Sequence, residues 1–220
     1  MINYKTINKN ENVMVCYSEF TPSKGVVEYQ VMIQLTNPGQ SYEEQLKLLL
    51  DTYSDLKENE LKKGTTIFKR YFLSDAVNQA DLLLAAETEH SDCALSIIEQ
   101  PPCNGTKIAL WAFLQTEVST KVLPEGLFEV THNGYRHLWK GRDFNRASTS
   151  EYQTRLLLNN YVMQLSEQNC KLADNCIRTW FFVQNIDVNY SGMVKARNEV
   201  FLTQDLTEKT HYIASTGIGG

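Results

Sequence analysis

The run Cys176-Ile177-Arg178-Thr179-Trp180-Phe181-Phe182-Val183-Gln184 decides the reading of the fold. β-Branched and aromatic residues dominate it, and neither glycine nor proline interrupts it, so a strand is expected over 175–184. Moved back by 110 residues, it falls on Thr66-Ile67-Phe68-Lys69-Arg70-Tyr71-Phe72-Leu73-Ser74, with Ile177 on Ile67 and Phe182 on Phe72. The same shift carries Tyr152 onto Tyr42, Leu156 onto Leu46 and Leu158 onto Leu48, in the helical segment that precedes each strand. Beyond the next helix a shift of 120 puts Ala214 on Ala94, the extra residues falling in the turn around 205–209. A single offset that holds across a helix and a strand points to an internal duplication.

Working outward, the first half predicts strands over 13–17 and 26–36, then a helix over 42–56. Ser41 stands as its N-cap and Glu44 three residues on completes a capping box. A strand over 65–73, a helix over 75–87, and strands over 93–100 and 106–115 follow, the last two joined by a hairpin-like Pro101-Pro102-Cys103-Asn104-Gly105. In the second half, strands over 127–132 and 135–140 flank Asn133-Gly134, a pair suited to a two-residue type I′ turn. Thr149 or Ser150 caps a helix over 151–166, and a strand over 175–184, a helix over 189–202 and a strand over 211–216 complete the order. The expected fold class is α+β, with two tandem β-β-α-β-α-β units over 1–118 and 119–220. The counterpart of 106–115 would fall past Gly220, so the second unit is expected to lack its last strand.

Composition narrows the function. Of the 220 residues 42% are hydrophobic and 21% charged, and the net charge is −5 with acids and bases interspersed. No basic stripe of the kind that neutralises phosphates is visible, so nucleic acid is not an expected partner, nor is RNA cleavage an expected activity. The longest apolar runs are too short to span a bilayer, and the first fifteen residues have no apolar core of a secretory signal. The five cysteines form no CxxC and read as reduced thiols, which makes the cytoplasm the expected location. His132 and His137 flank the turn at a spacing that does not bring two imidazoles to one metal, and His90 and His211 are distant, so neither metal nor cofactor is expected.

Three short stretches, Arg178-Thr179-Trp180, Ala196-Arg197 and Ala214-Ser215-Thr216-Gly217-Ile218-Gly219, resemble the RidA/YjgF superfamily, which has a chorismate-mutase-like fold. Within it they are most similar to the chorismatase branch, whose chains carry tandem YjgF-like halves. The resemblance implies a small carboxylated metabolite bound in an inter-unit cleft and hydrolysis of an enolpyruvyl ether. That reaction protonates the methylene carbon and adds water to the oxocarbenium ion. The alternative is a non-catalytic binding or assembly module with the same fold. Acids assigned to chemistry in that branch lie downstream of the TGIG segment, so no catalytic residue is assigned here. Units of this fold pack in threes, which implies a homotrimer, and with no apolar run long enough to span a bilayer no membrane partner is expected.

The residues themselves nominate Arg178, Trp180, Arg197, Ser215, Thr216 and Gly217 as substrate-binding. Arg178 shares a strand face with Trp180 and Phe182, and a guanidinium is costly to place in so apolar a strand without an anion. It reads either as a carboxylate anchor beside aromatic walls or as an arginine reaching solvent or a local acid. Arg197 falls on the stripe Tyr190, Met193, Val194, Arg197, Phe201, which suits either an anion site or a structural pair with a carboxylate such as Asp187 or Glu199 or with a backbone carbonyl. The glycines after Thr216 admit either close backbone approach by a ligand or a bulge in a strand.

RidA imine deaminases hold the substrate carboxylate with an arginine on the strand after the second helix. Here Leu95 and Ser215 stand at that position, and neither can replace a bidentate guanidinium. The purified protein is therefore expected not to accelerate hydrolysis of 2-aminoacrylate, followed by pyruvate release. A rate well above the buffer blank would show that another group does the work of the missing arginine.

Overall fold

The computed structural model describes residues 1–61, 64–88 and 93–220; His90 lies outside the described residues. The fold is α+β, and the chain divides into two compact units, Met1–Arg142 and Asp143–Gly220. Among the described residues no helix is long and apolar enough to cross a membrane.

In the first unit β1 (Ile2–Asn10), β2 (Val13–Phe20), β3 (Glu28–Leu35), β4 (Thr65–Leu73), β5 (Ala94–Glu99) and β6 (Ile108–Gln115) form one sheet. Its order is β1-β2-β3-β6-β4-β5, with β4 and β5 parallel and the other neighbours antiparallel. Period-two alternation assigns the faces. Tyr29, Val31, Ile33 and Leu35 of β3, with Leu110 and Leu114 of β6, are buried in one core with Leu46, Leu49, Tyr53 and Leu56 of α1 (Tyr42–Asn59) and Leu83 of α2 (Ala76–Thr88). Each such side chain contributes about 1.5–3 kcal/mol on leaving water. The expected capping box is present: Ser41 Oγ accepts from Glu44 N at 3.2 Å, and the Glu44 carboxylate accepts from Ser41 N at 2.8 Å.

The opposite face is covered by an antiparallel meander of β7 (Ser119–Val122), β8 (Phe128–His132) and β9 (Tyr135–Trp139). Phe128 and Val130, with Trp139 beside them, pack on Ile67, Phe68, Ala94 and Phe113. Asn133 and Gly134 both take positive φ, 51° and 76°, as a type I′ turn between His132 and Tyr135 requires.

Several expectations need correction. β1 was not foreseen. The segments 93–100 and 106–115 do not make a hairpin, because β6 inserts between β3 and β4 and leaves β5 on the outer edge. Residues 119–139, assigned by the repeat to the second unit, pack with the first, since the apolar partners of Phe128 and Val130 lie on β4 and β6.

On the helix side of β4 a charge is buried. Lys69 Nζ donates to both carboxylate oxygens of Glu87 at 2.9 Å, and both side chains are 3% exposed. Tyr71 Oη also donates to Glu87, and the Lys69 ammonium sits 4.8 Å from the centre of the Tyr53 ring. Burial and the Glu87 charge push the Tyr71 phenol well above its ordinary range, so it stays a donor at any physiological pH. Such a pair is weak as a source of stability, yet breaking it strands a charge. Lys69→Met is expected to cost about 3–5 kcal/mol in denaturant unfolding, while Lys69→Met with Glu87→Leu recovers most of that loss. A double variant no better than the single one would mean that the pair itself holds α2 on the sheet.

The second unit contains α3 (Ser150–Glu167), α4 (Leu172–Asn175), β10 (Arg178–Val183), α5 (Ile186–Thr203) and β11 (Ala214–Gly219). Thr149, not Ser150, caps α3 by accepting from Tyr152 N at 3.2 Å. Leu158, Leu165, Leu172, Cys176, Val200, Phe201 and Leu206 form its core, with Phe181 packed against them. Glu151 and Glu199 both bind Arg155, and Glu151 also takes Lys195, which ties α3 to α5. β10 and β11 are parallel, and β11 starts and ends three residues later than expected.

The two parallel ladders share one register. Phe68 faces Ala94 and Arg70 faces Ser96; Arg178 faces Ala214 and Trp180 faces Thr216. The shifts of 110 on the first strand and 120 on the second convert one set of pairs into the other.

Candidate functional site

Of the six nominated residues, the structure brings three together. Arg178, Trp180 and Thr216 share the face of the β10–β11 ladder that looks away from α5. The exposed Arg178 guanidinium lies 5.1 Å from the centre of the Trp180 ring, and its Nη2 donates to Thr216 Oγ1 at 3.4 Å, the long end of the range. Among the described residues Arg178 makes no ion pair, and its exposed guanidinium keeps donors beyond the one that meets Thr216.

Ser215 and Gly217 belong to the opposite face. The Thr179 hydroxyl donates to Ser215 Oγ at 3.0 Å beneath α5. A Cβ on Gly217 would stand 2.9 Å from Met193 Cε and 3.0 Å from the Tyr190 ring, so this glycine lets α5 approach the sheet. The ladder runs without a register shift from Arg178–Ala214 to Val183–Gly219, so the glycines make no bulge. Arg197 is separate again. Its Nε and Nη2 donate to Asn198 Oδ1 at 3.3 and 3.0 Å, and its guanidinium is 5.9 Å from the Phe201 ring centre. Neither expected acid is its partner, because Glu199 is bound to Arg155. The buried stripe of α5 is Met193, Ala196, Val200 and Phe201, which leaves Arg197 at its margin.

Sequence reading missed the corresponding group in the first unit. Arg70, on the meander side of β4, is 9% exposed, and its Nε donates to Ser96 Oγ at 3.1 Å. Its guanidinium lies 5.2 Å from the Phe68 ring and 5.6 Å from the Trp111 ring. Burial pulls its pKa down to about 10, which still leaves it charged at neutral pH. The signal was available in Phe68-Lys69-Arg70-Tyr71, two adjacent cations inside an otherwise apolar strand. Leu95, where the deaminase arginine would stand, packs against the helix-side core, and a Cβ on Gly141 would come within 2.2 Å of its carbonyl oxygen.

A second polar cluster joins the meander to β3 and β6. The His132 and His137 rings stack at 5.0 Å with 18° between planes. Gln115 Nε2 donates to Glu28 Oε1 at 3.0 Å and approaches His132 Nε2 at 3.4 Å, so that nitrogen accepts. Among the described residues His132 Nδ1 is buried without a hydrogen-bond partner. Stacking presents ring faces, not lone pairs, to each other, and among the described residues no group of three or more His, Cys, Asp or Glu could hold a metal ion.

Compared with known proteins, the chain matches no family model, and no curated protein sequence matches it significantly.

Burial and the neighbouring His132 lower the His137 pKa below its ordinary value, against an opposing pull from Glu28. The unfolded chain therefore takes up a proton at His137 first as pH falls. This contribution is fully present above about pH 6.5 and is lost as pH drops through the lower folded value. Melting temperatures between pH 7.5 and 5 should fall less steeply for His137→Gln than for the unsubstituted chain; parallel curves would remove His137 as the cause.

Proposed function

We propose that this protein binds a small metabolite that carries a carboxylate on a planar, unsaturated framework. The observation that carries this reading is the exposed Arg178 guanidinium, laid on the Trp180 ring with the Thr216 hydroxyl beside it. A guanidinium held over an aromatic ring loses torsional freedom before the ligand arrives. It keeps its in-plane N–H pair for the two oxygens of a carboxylate. The flanking indole favours a flat, apolar continuation of the ligand over a compact, strongly hydrated one.

An enolpyruvyl ether meets both demands, since its carboxylate is conjugated to a vinyl ether, and the resemblance to the chorismatase branch supports the same class. Within the second unit the order α3, β10, α5, β11 repeats α1, β4, α2, β5, with the short α4 added, and this supports the repeat on which the YjgF-like reading and its ligand class rest. In this proposal Arg178 anchors the carboxylate, Trp180 lies under the unsaturated group and Thr216 sets the angle of the guanidinium.

Calorimetric titration with chorismate and with benzoate tests the anchor. Arg178→Met is expected to weaken both by about tenfold or more, the worth of a hydrogen bond to a charged group. The corresponding amides are expected not to bind. Equal binding of acid and amide, or an unchanged affinity in Arg178→Met, would sink the proposal. Pyruvate release in the chorismate samples separates an enzyme from a binding module.

A further inference from the structure

We infer that the chain carries this cradle twice, and that the copy around Arg70 is closed by the protein's own side chains. One planar carboxylate is then held per chain, at Arg178. The inference rests on the carboxylate reading above for what the open copy binds, but its geometry stands apart from that reading. In each parallel ladder an arginine and an aromatic residue sit two positions apart on one strand, and a hydroxyl comes from the neighbouring strand at a fixed register. Phe68, Arg70 and Ser96 make the first set, and Arg178, Trp180 and Thr216 the second. The guanidinium-to-ring distances are 5.2 and 5.1 Å, and the guanidinium-to-hydroxyl distances 3.1 and 3.4 Å. The order of cation and ring along the strand is reversed, so the hydroxyl stands opposite Arg70 in one set and opposite Trp180 in the other.

What separates the copies is access. Around Arg70 a second ring, Trp111, lies against the guanidinium, and Trp139 of the meander packs on Phe68 at 5.5 Å and on Phe113 at 5.3 Å. Trp139 thus occupies, from within the chain, the kind of place a ligand's flat group would take, and Arg70 is left 9% exposed. Arg178 is exposed. The closed copy is a structural strut, and the open one is the binding site.

The three tryptophans report on this directly, because Trp111 and Trp139 line the closed copy and Trp180 the open one. Benzoate or chorismate is expected to saturate at one equivalent per chain and to change the tryptophan emission. That change is expected to vanish in Trp180→Phe. A persistent change in Trp180→Phe, or two equivalents per chain, overturns the inference. Independently of any ligand, Arg70→Met should lower the melting temperature by about 2–12 °C, the scale for leaving a buried hydroxyl without its donor in a chain of this size. Arg178→Met should leave it unchanged. If Arg70→Met does not fold, Arg70→Lys, which keeps the charge but not the planar fork, should melt lower than Arg178→Lys. Equal melting effects at the two sites overturn the inference even when no probe binds, whereas absent binding alongside unequal melting overturns only the carboxylate reading.

Discussion

The strand Ile108–Gln115 is hydrogen-bonded on both edges, to β3 from Glu28 to Gln34 and to β4 from Thr65 to Leu73, and the first unit depends on that double pairing. Without it the β1-β2-β3 hairpins and the β4–β5 parallel pair would be separate pieces, and a parallel pair cannot be closed by a short turn. Leu110 and Leu114 point into the helix-side core, while Trp111 and Phe113 point to the other face, under the meander. One strand thus sets the height of two apolar layers. A one-residue slip would exchange them and place Trp111 among α1 and α2.

The parallel ladder positions the proposed site. A crossover helix must lie on one face of two parallel strands, so the other face is where side chains can meet something else. On β10–β11 the helix side is fixed by Thr179, Ser215 and the close approach at Gly217, which leaves Arg178, Trp180 and Thr216 together on the far side. The chemistry of the cradle follows from strand parity before any ligand is considered.

Much of this could be read from the chain, and what could not has physical causes. The Ser41–Glu44 box, the Asn133-Gly134 turn and the 110-residue offset are local or translational signals, and local chemistry enforces them. Parity also separated Ser215 and Gly217 from Thr216, and grouping the three as one site overlooked it. β1 escaped because Ile2 to Thr6 are exposed, and Ile7, which packs on the core, falls on the face of Asn3 and Lys5 and not on that of Ile2 and Tyr4, so no apolar face marks the strand. The insertion of β6 between β3 and β4, and the packing of Phe128 and Val130 on the first unit, rest on contacts across tens of residues. Periodicity carries no record of partners at that distance.

Lys69 and Arg70 show how neighbouring cations on opposite faces of one strand are accommodated by different means. The ammonium is a compact, strongly hydrated charge that leaves water only against a carboxylate, and Glu87 supplies it under α2. The guanidinium is flat and weakly hydrated, so it can lie against two aromatic faces and donate to the Ser96 hydroxyl beneath the meander. At the corresponding positions of β10 the first solution is gone, because Thr179 stands where Lys69 would and bonds Ser215 instead. The second is retained in altered order, as Arg178 over Trp180. A cation on the helix side is thus dispensable to this ladder, whereas an arginine beside an aromatic ring recurs on the other face even where solvent reaches it. Packing alone asks for no arginine at an exposed strand position, and the proposed carboxylate site would account for its recurrence at Arg178.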